Sequence, residues 1–459
     1  LFVFQSSSSS EAAHMDSEQK PCRILMMPWL AHGHLSPFLE LAKKLTLRNF
    51  RVYFCSTPVN LYPIRENENN DNLSLIEFVD IHLPSTPELP PNYHTTRNLP
   101  PHLMPVLKTA FDRSTESFRE IIRAIKPDLV IYDTTQPWAP EIANQENVKA
   151  VVFMTFGAAA TAFFFHYILN FDEDYPNPEF RFPERKTRQI TQFLDNVSNG
   201  LKDKDRFLEC VKKSSFVLVK SLNEMENQYA DYLSSLVGKE VIPVGPLVQD
   251  RESKLNDSET LIEWLNKRAP CSTVFVSFGT EYFLSKDEIE AIALGLELSN
   301  VNFIWLIRFP AGKNLSLSQV LPEGFQRSVD ERGVVVQGWA SQAKILNHPS
   351  IGGFVSHCGM SSTMESIKFG VPLIAMPTQY DQHLNARLVV NIGIGVEVQR
   401  ENDVFKKEDI ARVIREVVFL EEGKEVREKV KELSFKVKEK GDQEIHHVAK
   451  KLLQLVKES

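Results

Sequence analysis

Short apolar runs alternate with helical patterns along almost the whole chain. RILMMPW, RVYFCST, LSLIEFV, DLVIYD, AVVFMT and FVLVKS come first; TVFVSFG, NFIWLI, GVVVQGW, GGFVSHC and PLIAMP follow Val241. Each run is apolar throughout rather than at alternate positions, as expected of strands in a parallel sheet covered on both faces. Between the runs the spacing is helical. In SPFLELAKKL, Phe38, Leu41, Ala42 and Leu45 share one face, with Ser36 placed to cap and Pro37 in the first turn. Two successive sets of strand–helix units predict an α/β protein of two doubly wound, Rossmann-like domains.

The pattern breaks at VIPVGPLVQDRESKLNDSET, where prolines and a glycine give way to a polar stretch. This predicts an N-terminal domain over 21–246 and a C-terminal domain over 247–435, with a last helix over 436–459 packing back on the first domain. The proline- and charge-rich residues 170–205 are expected to form a loop or a mobile lid. The charged tail reads as one or two amphipathic helices with a solvated face. Residues 1–20 carry a serine run without a basic start, so they are read as a leader and not a signal peptide. One stretch, AVVFMTFGAAATAFFFHYIL, is long enough to cross a bilayer. It lacks interfacial anchors on both sides, and a strand, a turn at Gly157 and a buried helix are expected instead.

Composition narrows the class. The 459 residues are 42% hydrophobic and 24% charged, enough for two globular cores. A net charge of -8 argues against nucleic acid or an anionic membrane as the main partner. Five scattered cysteines form no CxxC pair and no secreted framework, which points to a reducing cytoplasm.

In open α/β sheets, ligands bind beyond the carboxyl ends of strands, so the residues after each run are the candidates. After RILMM, Gly33 permits a tight turn and His34 stands before a helix, whose N-terminus favours a neutral imidazole suited to a general base. A turn histidine bonded to backbone is an equal reading of the local sequence. After DLVIY, Asp133 either orients an imidazole or caps a helix. Thr155 follows AVVFM. Gly279 and Thr280 follow TVFVSF and offer backbone N–H groups and a hydroxyl to an anion. HCGMSSTMES opens a helix whose unpaired N–H groups and dipole favour phosphate, with Ser361, Ser362 and Thr363 as added donors. Ser362 and Glu365 also fit a capping box. His32 and His34 lack a third ligand of matching spacing, so no metal site is expected. The chain has no GxxxxGK[ST], and no GxGxxG follows an early strand.

From Trp339 to Gln382 the sequence reads WASQAKILNHPSIGGFVSHCGMSSTMESIKFGVPLIAMPTQYDQ. This resembles the signature box of plant family 1 UDP-sugar-dependent glycosyltransferases of GT-B fold. PWLAHGHLSPFLELAKKL, PDLVIYDTTQPWAPE and STVFVSFGTEYFLSKDE extend the resemblance over nearly the whole chain. The wording is most similar to the branch that adds a sugar to a sugar already on a flavonoid or terpenoid glycoside. The resemblance implies two domains facing each other across a cleft, a UDP-sugar donor as co-substrate, a hydrophobic small-molecule or glycoside acceptor, no cofactor and a monomer.

It also implies roles. Trp339 stacks on uracil, the Ala340 backbone reads its edge, and Gln342 lies near the ribose, whose hydroxyls Glu365 binds. His357, Gly359, Ser361, Ser362, Gly279 and Thr280 surround the diphosphate. Asp381 and Gln382 bind the donor sugar, glutamine there going with glucose, and Thr155 approaches it from the other domain. His34 is the base and Asp133 its partner. Three positions depart from the pattern: Ser341 for proline, Ser361 for asparagine and Met360 for tryptophan. The last replaces a rigid indole wall with a flexible thioether. The expected activity is inverting, metal-independent transfer of glucose from UDP-glucose. The rival readings are an aglycone-directed glucosyltransferase, a UDP-sugar-binding protein with weak turnover, and a dinucleotide oxidoreductase, which the missing fingerprint disfavours.

Overall fold

The computed structural model describes residues 20–67, 74–97, 99–248, 257–309 and 315–458. The expected leader, apart from Lys20, and the polar boundary residues 249–256 lie outside them. Each apolar run contains a strand. The first sheet comprises β1 (Cys22–Met27), β2 (Phe50–Ser56), β3 (Ile76–Asp80), β4 (Leu129–Tyr132), β5 (Lys149–Met154), β6 (Val217–Val219) and β7 (Val241–Pro243). Its order is β3-β2-β1-β4-β5-β6-β7, parallel throughout. The second comprises β8 (Thr273–Ser277), β9 (Asn302–Ile307), β10 (Gly333–Gln337), β11 (Ile351–Ser356), β12 (Leu373–Ala375) and β13 (Gly395–Glu397). Its order is β10-β9-β8-β11-β12-β13, again parallel. Their central strands are buried along their length, because helices cover both faces.

Strand order reverses between β1 and β4 in the first sheet and between β8 and β11 in the second. Chains leaving neighbouring strands there turn to opposite faces and open a crevice at the carboxyl ends. His34 and Asp133 follow β1 and β4; Gly279 and His357 follow β8 and β11. The topology therefore gathers four of the sequence candidates at two switch points.

The last helix, Gln443–Lys457, buries Ile445, Val448, Ala449 and Leu452 in the core of the first sheet. Asp442 ahead of it pairs with Lys44 and Arg48, and Lys451 pairs with Glu240. The helix Ala158–Leu169 starts after Gly157 and is buried except near its end. Among the described residues, no helix is long and apolar enough to cross a membrane.

Two local expectations are corrected. The helix after β1 runs His32–Thr46 and encloses Pro37, so Ser36 is inside it and caps nothing. Its N-cap is Ala31, whose carbonyl accepts from the His34 and Leu35 N–H groups. No side-chain hydroxyl marks that start, which is the signal that sequence rules look for. The 170–205 segment is not a bare loop. It contains the helix Glu184–Thr191 and a hairpin of Val197–Ser198 with Leu201–Lys202. Aromatic burial holds it: Tyr175 and Phe180 are buried, and Phe193 packs on Phe164 and on Tyr380 across the cleft. Proline and charge content masked those anchors.

Candidate active site

At the first switch point, Asp133 is fully buried, with 0% of its side chain exposed. Its Oδ2 accepts from the Trp29 N–H at 3.0 Å and lies 2.8 Å from His34 Nδ1. Its Oδ1 accepts from the Thr134 N–H at 2.7 Å and the Thr134 hydroxyl at 3.1 Å. The next helix begins only at Ala139, so the helix-cap reading fails. One carboxylate thus fixes the β1 loop and the imidazole together. Nδ1–H directed at Asp133 leaves Nε2 as the acceptor of a proton. Thr155 Oγ1 lies 3.0 Å from the same Nδ1, so Thr155 is a neighbour of the base.

His34 stands in the first helical turn, and its pKa is raised, not held down. Burial lowers it, but the charge and hydrogen bond of Asp133 outweigh burial. Phe156 meets the ring edge-on at 6.3 Å and gives the base an aromatic neighbour.

At the second switch point, the turn from β11 into the helix Met360–Phe369 passes through Cys358 at φ +62. A β-carbon there is costly, and two hydrogen bonds hold the turn. Ser356 Oγ accepts from the Cys358 N–H, and the Asn385 side chain donates to the Cys358 carbonyl. The helix N-cap is Gly359, without a side-chain cap, so the capping-box reading of Ser362 and Glu365 is also wrong. The first N–H groups of the helix stay available, with the positive dipole end behind them.

His357 is wedged between two glycines. A β-carbon on Gly279, itself at φ +74, or on Gly359 would come within 2.7 Å of its ring. Burial pushes its pKa down to about 4, so the ring is neutral and its donor capacity depends on tautomer. Its buried Nδ1 has no protein partner, and neither has Thr363 Oγ1.

Glu365 accepts from the Gln342 side-chain amide, which also lies 3.5 Å from Ser362 Oγ. Burial lifts Glu365 to about 7 and Asp381 to about 6. Trp339 is 45% exposed; the Arg308 guanidinium lies over one face at 4.5 Å, and His32 meets it edge-on at 6.1 Å. Ala340 is buried beside it. Ser341 has φ -70, the value proline would fix, so the chain keeps its course without the ring. Thr280 follows Gly279 at the end of β8, partly buried.

Two donor-sugar candidates carry surprises. Gln382 Oε1 accepts from the Thr378 N–H and hydroxyl and from the Gln379 N–H, at 2.7–3.0 Å. Two backbone donors fix that atom as the oxygen. Only the Gln382 amide nitrogen is left for a sugar, so it cannot both donate and accept there. Met360 is buried, with its methyl against the α-carbon of Gly157 and near Glu226 in the other domain. It seals the seam between domains and is not a loose wall.

The sequence reading missed Lys220 and Arg308. Both stand directly after an apolar run, in FVLVKS and NFIWLIRFP, where a strand-end cation is the readable signal. Among the described residues, no group of three or more His, Cys, Asp or Glu is placed to hold a metal. All five cysteines are free thiols.

Comparison with known proteins identifies the family. Residues 249–441 match the family described as UDP-glucoronosyl and UDP-glucosyl transferase, and residues 20–249 match a glycosyltransferase N-terminal domain. UDP-glucosyltransferase 29 of Panax ginseng is 48% identical over 447 residues, covering 96% of this chain and 99% of its own. Flavanone 7-O-glucoside 2''-O-beta-L-rhamnosyltransferase of Citrus maxima is 46% identical, covering 96% and 99%. Among solved structures, Glycyrrhiza uralensis UGT73P12 complexed with glycyrrhetinic acid 3-O-monoglucuronide superposes with a TM-score of 0.83 at 24% identity, covering 95% and 96%; this likeness speaks to fold.

Proposed function

Because the chain belongs to the plant family 1 of UDP-sugar-dependent glycosyltransferases, we propose that it transfers glucose, with inversion, from UDP-glucose to a sugar hydroxyl of a flavonoid or terpenoid glycoside. The observation that carries this reading is the pairing of the two switch points. A buried aspartate orients a histidine on one side of the cleft, and an uncapped, hydroxyl-lined helix mouth stands on the other.

His34 Nε2 takes the proton of the acceptor hydroxyl as that oxygen attacks the anomeric carbon in line. Asp133 holds the tautomer and stabilises the imidazolium. The bond from the anomeric carbon to the β-phosphate oxygen breaks, and its electron pair leaves with UDP. The helix N–H groups, Ser361, Ser362 and His357 meet that charge. The UDP-sugar is the co-substrate, and the chemistry calls for no further cofactor. A cytoplasmic, monomeric enzyme is part of this proposal, which the five free thiols accommodate.

The glycoside acceptor is supported by the Citrus maxima relative, whose name places its transfer on a flavanone glucoside. That same relative moves rhamnose, so donor choice rests on Asp381 and Gln382 and not on overall similarity. The test is a panel of UDP-glucose, UDP-galactose, UDP-xylose, UDP-glucuronate and UDP-rhamnose against glycosides and their aglycones, read by mass spectrometry. The expected products are hexosylated glycosides from UDP-glucose. Preference for another donor rejects the glucose assignment, and preference for aglycones rejects the acceptor class.

A further inference from the structure

Lys220 is the first residue after β6, in the N-terminal domain, and only 1% of it is exposed. Its ammonium crosses the cleft and donates to Ser361 Oγ at 2.5 Å. Ser361 is the second residue of the uncapped helix Met360–Phe369. The ammonium makes no other hydrogen bond and no ion pair among the described residues. Two of its three N–H groups therefore have no protein acceptor. A buried lysine without a contacting carboxylate is costly, and burial pushes its pKa down to about 8 despite the pull of Glu365 and Asp381.

Three features converge on one point. The helix dipole presents positive charge, the first N–H groups lack partners, and an under-coordinated ammonium arrives from the opposite domain. Only an anion satisfies all three. Ser361 accepts from Lys220, so its own O–H is directed elsewhere, and the helix mouth lies in reach.

We propose that Lys220 is a diphosphate-binding residue supplied by the N-terminal domain. Directly, and through the polarised Ser361 hydroxyl, it binds the β-phosphate of the nucleotide. It holds that group as the bond to the anomeric carbon breaks and the electron pair passes to the phosphate oxygen. The ammonium keeps its protons, and the acceptor's proton goes to His34. Because one domain carries the cation and the other the helix, the leaving-group site is complete only when the two domains meet. This rests on the UDP-sugar reading of the cleft and adds a residue to it.

The test is calorimetric titration of uridine, UMP, UDP and UDP-glucuronate into the wild type, Lys220→Met and Lys220→Arg. A lost charge-assisted contact predicts about 10- to 100-fold weaker UDP binding in Lys220→Met, with uridine unchanged and UMP little affected. Lys220→Arg keeps the UDP-to-uridine ratio near that of the wild type, and turnover falls in Lys220→Met in step with UDP affinity. Equal weakening for uridine and UDP, or unchanged UDP affinity, overturns the proposal. Weakening confined to UDP-glucuronate assigns the cation to a sugar carboxylate and overturns it too. Lys220→Gln takes the place of the methionine variant if that variant does not fold, and failure of both to fold makes Lys220 structural. A wild type that does not bind UDP at all brings down the donor-site reading itself, a result distinct from any of these.

Discussion

The two strand-end mouths differ in what their ionisable side chains engage. At the first, both Asp133 oxygens are engaged, by Trp29, Thr134 and His34. At the second, His357 Nδ1 and Thr363 Oγ1 have no protein partner, and Glu365 and Asp381 are lifted by burial. The first mouth fixes one imidazole in a single orientation. The second holds buried polar atoms without partners and two carboxyls raised by burial, beside an uncapped helix start. On the proposed reading the base lies in the first domain and most donor contacts in the second, with Lys220 reaching across, and substitutions should separate the two roles.

The largest effect is expected from His34→Ala. Loss of a positioned general base predicts a roughly 10²–10⁴-fold fall in turnover with UDP affinity little changed. Near-normal UDP release with acceptor present would remove His34 from the mechanism. Asp133→Asn comes next and acts through pH. The neutral form of His34 is the active base, so kcat/KM rises with pH through its raised pKa. Removing the Asp133 charge leaves burial, the largest influence, which lowers that pKa together with Lys220 against the weaker pull of Glu281. The acidic limb of the profile should move to lower pH while the plateau drops by roughly 10²-fold. A limb that stays in place would show that Asp133 only anchors the Trp29 loop.

Gln382→Glu tests recognition on the other side. The carboxylate keeps an oxygen for Thr378 and Gln379 but loses the amide donor. Transfer from UDP-glucose should fall roughly tenfold, with melting temperature nearly kept. An unchanged donor profile would mean that Gln382 serves only its own turn. The smallest catalytic effect is expected from Met360→Trp. The methionine methyl already touches Gly157, so an indole overpacks the seam and should cost about 1–3 kcal/mol of stability. A stable variant with tighter donor binding would restore the view of this position as a sugar wall.

Much of this was legible in the sequence, because burial on both faces writes itself as unbroken apolar runs. Two strands were missed, Val241–Pro243 and Gly395–Glu397; each is three residues long and only partly buried, the first lies in the stretch read as the domain boundary and the second opens on glycine, so both carry little of that signal. His34, Asp133 and His357 were findable because each ends such a run. The partnership of His34 with Asp133 came from the resemblance and not from the local sequence, since the contact joins residues 99 apart in the chain. The capping box at Ser362 and Glu365 satisfied a local rule, yet Gln342 claims Glu365 from another helix. Lys220 and Met360 owe their roles to the opposing domain, and one chain segment read alone holds no trace of what faces it.

The central claim is that base and leaving group stand on opposite sides of one anomeric carbon. The direct test is the configuration of the product made from UDP-glucose, an α-linked donor. Proton NMR of the newly attached glucose should show the large anomeric coupling of a β-glycoside, as a single in-line displacement requires. The small coupling of an α-glycoside would mean a double displacement or attack from the diphosphate side, and would contradict the division of labour between the two mouths.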